Sequence, residues 1–197
     1  MGLFLQAVIM PGCREADARA AVTAVAEKYS SSFDELEKGD STEDAMIISD
    51  LIPDECQYIE NANGVSILFN SDFIGYDSLA KALSGEYGKA VLLLYIYDGD
   101  YWGYWLYDNG ELIDQFNPVP DYFEEESEDV IQESKGNAEM IAKYFQVEKA
   151  SIEKYLVHWS EKTIEEKAYE EDEFGYEDWQ MADFMRKLGY PYRFDEE

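Results

Sequence analysis

Residues 90–116, AVLLLYIYDGDYWGYWLYDNGELIDQF, constrain the fold more than any other stretch of the chain. AVLLLYIY carries no polar alternation, so it reads as a central strand covered on both faces. Asp98-Gly99 and Asn109-Gly110 then supply two-residue turns of the primed type, which need positive φ at both central positions and match the twist of the flanking strands. Three sequential antiparallel strands, a β-meander, follow from these signals.

The preceding residues build toward the same sheet. Residues 3–10 read as a buried strand that Pro11-Gly12 ends, before a helix from about Glu15 to Tyr29 whose apolar face is Ala18, Ala21, Val22, Val25 and Tyr29. Residues 30–44 read as a solvated connection, and DAMIISDLI beyond them fits either a strand or a helical turn. CQYIE and GVSILFN flank Asn61-Ala62-Asn63-Gly64, a hairpin signal. Asp77 caps a short helix carrying Leu79, Ala82 and Leu83, with Ser84-Gly85 as its expected stop.

After Pro118 and Pro120 the character changes. Residues 121–134 hold seven acids and no base, and helices are expected at about 138–146, 151–159 and 177–188. The fold class is therefore α+β: an antiparallel or mixed sheet with a β-meander, helices packed on one face, and a helical C-terminal third. The expected division is an α+β sheet domain over 1–120 and an acidic loop with helices over 121–197 that packs on it as one domain, a size that 197 residues support.

Charge narrows the partners. With 44 Asp and Glu against 15 Lys and Arg, the formal net charge is −29, which repels phosphate backbones and anionic lipid heads and attracts a basic protein or a cation. Neither nucleic acid nor membrane is an expected partner. The apolar run at 3–10 is too short to span a bilayer, and no basic residue precedes it as in a signal peptide. Two cysteines, Cys13 and Cys56, make no disulfide framework or cysteine-based zinc cluster. A cytoplasmic location is the simplest fit.

Catalytic motifs are easier to exclude than to find. The chain has no GxxxxGK[ST], no GxGxxG after a strand, no GxSxG and no HExxH. Its single histidine, His158, reads as a helix-flank residue before it reads as a general base. Cys13, after a strand and beside Arg14, stands where a thiolate is stabilised, yet it has no CxxC partner. Asp98-Gly99-Asp100 can be drawn as a cation loop, although a solvated turn explains it better. A glycosidase pair among Asp98, Asp100, Asp108, Glu111 and Asp114 would need one carboxyl in an apolar pocket. Residues 136–156 have helix-turn-helix spacing, but 137–159 carry three acids and three lysines, not the basic face of a DNA reader. No cofactor or metal is expected.

What the charges do form is a pattern. From Ala90 to Ser134 there is no Lys or Arg against twelve acids, and Gly39 to Ala80 holds nine more acids and no base. Strand alternation sends Trp102, Tyr104 and Leu106 to one face and Tyr101, Trp105 and Tyr107 to the other. If helices cover one set, a second cover or a partner must take the other. Rings rimmed by carboxylates suit an interface with a basic protein, and the expected partner-binding residues are Asp98, Asp100, Trp102, Tyr104, Asp108 and Glu111.

The segments LLLYIYDGDYWGYWLYDNGELIDQFNPVPDYF, GNAEMIAKYF, IEKYLVHW and DWQMADFMRKLGYPY resemble a family of uncharacterised bacterial proteins over roughly the last 120 residues. In size, acidity and lack of catalytic motifs the chain is also similar to immunity proteins that neutralise bacterial toxins. That resemblance implies a non-enzymatic binding module, toxin-neutralising or regulatory. The alternative is a small enzyme using paired carboxylates or the Cys13 thiol.

Overall fold

The computed structural model describes residues 3–36, 51–69, 76–159 and 166–194. Its six strands form one antiparallel open sheet in the order β2-β3-β1-β4-β5-β6. These are β1 (Leu5–Pro11), β2 (Gln57–Asn61), β3 (Gly64–Leu68), β4 (Val91–Tyr97), β5 (Tyr101–Asp108) and β6 (Glu111–Phe116). The helices are α1 (Glu15–Leu36), α2 (Tyr76–Tyr87), α3 (Glu128–Glu133), α4 (Ala138–Phe145) and α5 (Gln180–Lys187). The α+β class and the meander β4-β5-β6 are as the sequence predicts.

The chain falls into two compact units that do not divide at residue 120. One comprises 6–93, 107–112 and 194–197. In it β3 pairs antiparallel with both β1 and β2, so that Ser66 lies opposite Ile9 on one side and Ile59 on the other. The two-residue turn Ala62-Asn63 closes the expected hairpin. Ala18, Ala21, Val22, Val25 and Ala26 of α1 are buried, as are Leu79, Ala80 and Leu83 of α2. Small residues at helical spacing let such helices approach their neighbours closely. The start of α1 is fixed by Glu60 of β2, whose carboxylate accepts the Glu15 N–H at 2.9 Å and so satisfies a free helix-end donor.

Two boundaries differ from expectation here. α1 runs past Tyr29 to Leu36, because Ser30 to Leu36 contain no glycine or proline to stop it. α2 runs through Gly85 to Tyr87, and the chain leaves it at Gly88, which takes the left-handed φ of +66° that a helix stop requires. Of the stretches left undecided or read as solvated, 37–50 lies outside the described residues.

The other unit comprises 1–5, 94–106 and 113–193. Asn137 caps α4 by accepting the Met140 N–H at 3.0 Å, and Gln146 ends it at φ +56°. The helix expected at 151–159 is not an α-helix. A 3-10 turn at Lys149–Ser151 gives way to turns in which Tyr155 N–H bonds Ile152 O at 3.1 Å and Leu156 N–H bonds Glu153 O at 3.3 Å. Burial of Ile152 and Tyr155 at a spacing of three suits either geometry, so the apolar stripe does not separate them. α5 is shorter than expected but buries the expected Met181, Phe184 and Met185, with Leu188 just beyond. Among the described residues no helix is long and apolar enough to cross a membrane.

Candidate functional site: an aromatic and acidic patch at the first turn of the meander

Asp98 and Gly99 take φ of +52° and +74°, and the Asp100 N–H returns to the Tyr97 carbonyl at 2.9 Å. This is the primed turn that Asp-Gly predicts. Asn109 (φ +50°) and Gly110 (φ +81°) repeat it between β5 and β6. The first turn sets Asp98 and Asp100 on either side of a glycine, and the strand ends beside it carry Tyr97 and Tyr101 on one face.

Those two rings organise a cluster. Tyr97 stacks on Tyr101 with centroids 5.6 Å apart and meets Phe4, Tyr122 and Phe123 edge-on at 5.1, 5.9 and 5.3 Å. Tyr122 and Phe123 are in turn 4.9 Å apart and nearly perpendicular. Such edge-to-face arrangements match positive ring edges to negative ring faces. The N-terminal segment is pinned to the turn by Gly99 N–H donating to the Leu3 carbonyl at 2.8 Å, which carries Phe4 onto Tyr97. The outer rings remain open to solvent: Phe123 is 70% exposed, Phe4 51% and Tyr122 40%.

The carboxylates are interleaved with the rings. The Tyr122 hydroxyl donates to Asp100, a bond that with the nearby charge pushes that phenol up to about 12. Burial, with a smaller contribution from the negative Asp100, raises the Asp178 carboxyl above the usual range. Asp178 also lies near the turn, since a side chain added at Gly99 would sit 4.0 Å from its Oδ2. Three carboxylates thus gather at one end of the hairpin beside exposed rings.

Two of the expected contact residues are not at the surface. Trp102 and Tyr104 are fully buried, which removes them as partner-binding anchors. The reason is α5: Phe184 packs on both rings, at 5.1 and 6.0 Å, and Phe116 of β6 packs beside them at 5.2 and 5.8 Å. The Trp102 indole N–H donates to Gln180 Oε1 at 3.1 Å, and the Tyr104 hydroxyl donates to Asp114 Oδ2 at 2.7 Å. α5 therefore covers Trp102 and Tyr104 on this face. On the opposite face Tyr95 lies over Gly103 and stacks on Trp105 at 4.6 Å.

Of the remaining expected residues, Asp98 and Asp100 belong to the patch. Asp108 and Glu111 flank the second turn in the other compact unit. There Asp108 accepts from Asn109 Nδ2 at 2.9 Å, and Glu111 lines a cavity of about 370 Å³ with Asp77 and Lys81. Phe4, Tyr122 and Phe123 were not singled out by sequence reasoning. The usable signal was Tyr122-Phe123, two adjacent rings in an irregular acidic segment, where no periodic face exists to bury both.

Cys13 is buried, donates weakly to its neighbour's carbonyl at 3.5 Å, and burial pushes its thiol up, away from the thiolate that nucleophilic chemistry needs. Asp114 does have the raised pKa of a general acid, caused mainly by burial. Its Oδ2, however, accepts from both the Tyr104 hydroxyl and the Asn137 N–H at 3.0 Å, which ties β6 to the start of α4. His158 sits 3.3 Å from Ser134 Oγ, and burial followed by the charge of Lys135 lowers its pKa. Ser134 itself donates back to the Ile131 carbonyl at 3.0 Å, as a helix-end serine does. Among the described residues no group of three or more His, Cys, Asp or Glu is placed to hold a metal ion.

No family model, curated protein or solved structure matches the chain.

Proposed function

We propose that this protein is a non-enzymatic binding module, toxin-neutralising or regulatory, that docks a basic protein on the patch formed by Phe4, Tyr97, Tyr122 and Phe123 around Asp98 and Asp100. The observation that carries this reading is the exposure of three packed rings beside a carboxylate-bearing turn. A protein gains nothing in its own fold from leaving Phe123 in water, whereas a partner that covers it gains buried apolar area. The acids then choose the partner. With a net charge of −29 the protein repels anions and draws cations, and the base-free run from Ala90 to Ser134 includes the whole turn. Asp108 and Glu111 add to this negative field without belonging to the patch.

Rings and carboxylates have separable kinetic roles. Exposed charge accelerates encounter, while a desolvated ring slows departure. The test is capture of partners from source cells at low salt, elution at high salt, and binding kinetics on what is captured. Asp98→Asn with Asp100→Asn is expected to slow association, and Phe123→Ala to speed dissociation by about tenfold or more. A captured partner as acidic as this chain, or unchanged kinetics in both variants, would overturn the reading.

A further inference from the structure

Beside the patch, Tyr122 also forms one wall of a cavity of about 350 Å³, whose other walls include Pro118, Pro120, Ile131 and Trp159. The Trp159 wall is held in place by its backbone N–H, which donates to the Pro118 carbonyl at 2.8 Å. The lining is apolar and aromatic except for Asp121 and His158. Asp121 is oriented by the Glu126 N–H, which donates to its Oδ1 at 3.0 Å. No lysine or arginine lines the cavity. Burial, followed by the charge of Lys135, lowers the His158 pKa and so favours the neutral imidazole. The segment that forms the rim continues into Glu124, Glu125, Glu126, Glu128 and Asp129.

Such a cavity matches one side chain better than any other. An arginine has a flat cation that stacks on indole and phenol faces, an aliphatic stem that lies against proline and isoleucine, and forked donors that meet a carboxylate. A lysine has the stem and the charge but neither the plane nor the fork. An aliphatic side chain would leave Asp121 and the acid run without a counter-charge. Resting on the reading above, we infer that the cavity bounded by Pro118, Pro120, Tyr122, Ile131 and Trp159 is the seat of an arginine side chain of the basic partner, with Asp121 as its carboxylate acceptor. Tyr122 joins the two surfaces, since its ring belongs to the exposed cluster and lines the cavity as well.

The experiment is an NMR titration of the full-length chain with Nα-acetyl-arginine amide and, separately, Nα-acetyl-lysine amide. The readout is the indole N–H signal of Trp159, assigned with a Trp159→Phe variant. The arginine probe should shift that signal saturably and bind at least about threefold more tightly than the lysine probe. Asp121→Asn keeps an acceptor for the Glu126 N–H, and it should weaken the arginine probe about fivefold. Glu86→Gln, at an exposed position of α2 that does not line the cavity, should leave the probe's affinity within about twofold. Equal affinity for the two probes, no Trp159 response, or indifference to Asp121→Asn would each overturn the inference. If a basic partner is captured while the arginine probe leaves Trp159 unmoved, the cavity is not the seat and the docking patch stands. If the probe behaves as expected and captured partners are not basic, the docking reading falls and the arginine site remains.

Discussion

A fully buried phenol that donates to a carboxylate determines what can replace Asp114. Burial raises that carboxyl, so the folded chain binds its proton more tightly than the unfolded chain does. Its contribution to stability is therefore complete below about pH 3.8 and is lost as pH rises through the raised value. Once ionised, the group is carried at a cost that its bonds to Tyr104 and Asn137 offset. Asp114→Asn keeps an acceptor and sheds the buried charge, so its stability in urea should lie within about 1 kcal/mol of the parent. Asp114→Ala strands two donors and should cost about 1–3 kcal/mol. His158 has the opposite sign. Its pKa is lowered, so on acidification the unfolded chain takes up the proton first, and stability falls as pH drops through about 6.5. His158→Gln should remove that part of the pH dependence between pH 7 and 5, as read from urea midpoints.

At the scale of elements, β5 is tightly determined at Gly103. A Cβ there would lie 2.5 Å from the Phe116 carbonyl oxygen and closer still to the Tyr95 hydroxyl, with backbone and a buried ring both unable to yield. Gly103→Ala should therefore destabilise by about 3 kcal/mol or more, and a thermal melt showing a change below about 1 kcal/mol would contradict the packing of Tyr95 and Phe116 against β5. The meander was legible in sequence because Asp-Gly and Asn-Gly need positive φ and the strands between them are short and apolar. Which face of β5 was free was not legible, because strand alternation sorts rings into two sets without saying what covers either. Trp102 and Tyr104 proved to be covered by α5 and Tyr101 by Tyr97 and Tyr122, while Trp105 is half-buried. The exposed rings instead come from Phe4, which falls in the run read as a buried strand but lies ahead of β1, and from Tyr122-Phe123 in a segment without periodicity. The buried pair Asp172 and Asp183 was equally invisible. Asp172 accepts from the Tyr155 hydroxyl at 2.7 Å, and Asp183 accepts from two backbone N–H groups at 2.8 and 2.9 Å. Composition counts such carboxylates as surface charge, although here they bind a loop to α5.

Across the whole molecule, one quantity acts on folding and on association with opposite sign. A net charge of −29 repels itself in the compact state, and added salt screens that repulsion. The Debye length falls from about 30 Å at 0.01 M to about 8 Å at 0.15 M, so distant like charges are the first to be silenced. Among the described residues, the pairs of Arg19 with Glu15 and Lys149 with Glu153 are exposed helix pairs, worth roughly 0.3–0.5 kcal/mol each, while those of Arg186 with Asp172 and Asp183 and of Lys187 with Glu171 each have one largely buried partner and are screened less. Screening should therefore win, and the melting temperature should rise as NaCl is raised from about 10 to about 500 mM. The same salt weakens attraction between this protein and a basic partner, so the association rate should fall over the same range. Dissociation should change less, because rings such as Phe123 hold the complex by contact once water has been expelled. A single salt series read by thermal melts and by binding kinetics separates these effects. A melting temperature that falls with salt would mean that attractive pairs outweigh self-repulsion. An association rate indifferent to salt would mean that the acids around Asp98 and Asp100 do not steer the partner, and the proposed role of the patch would fail.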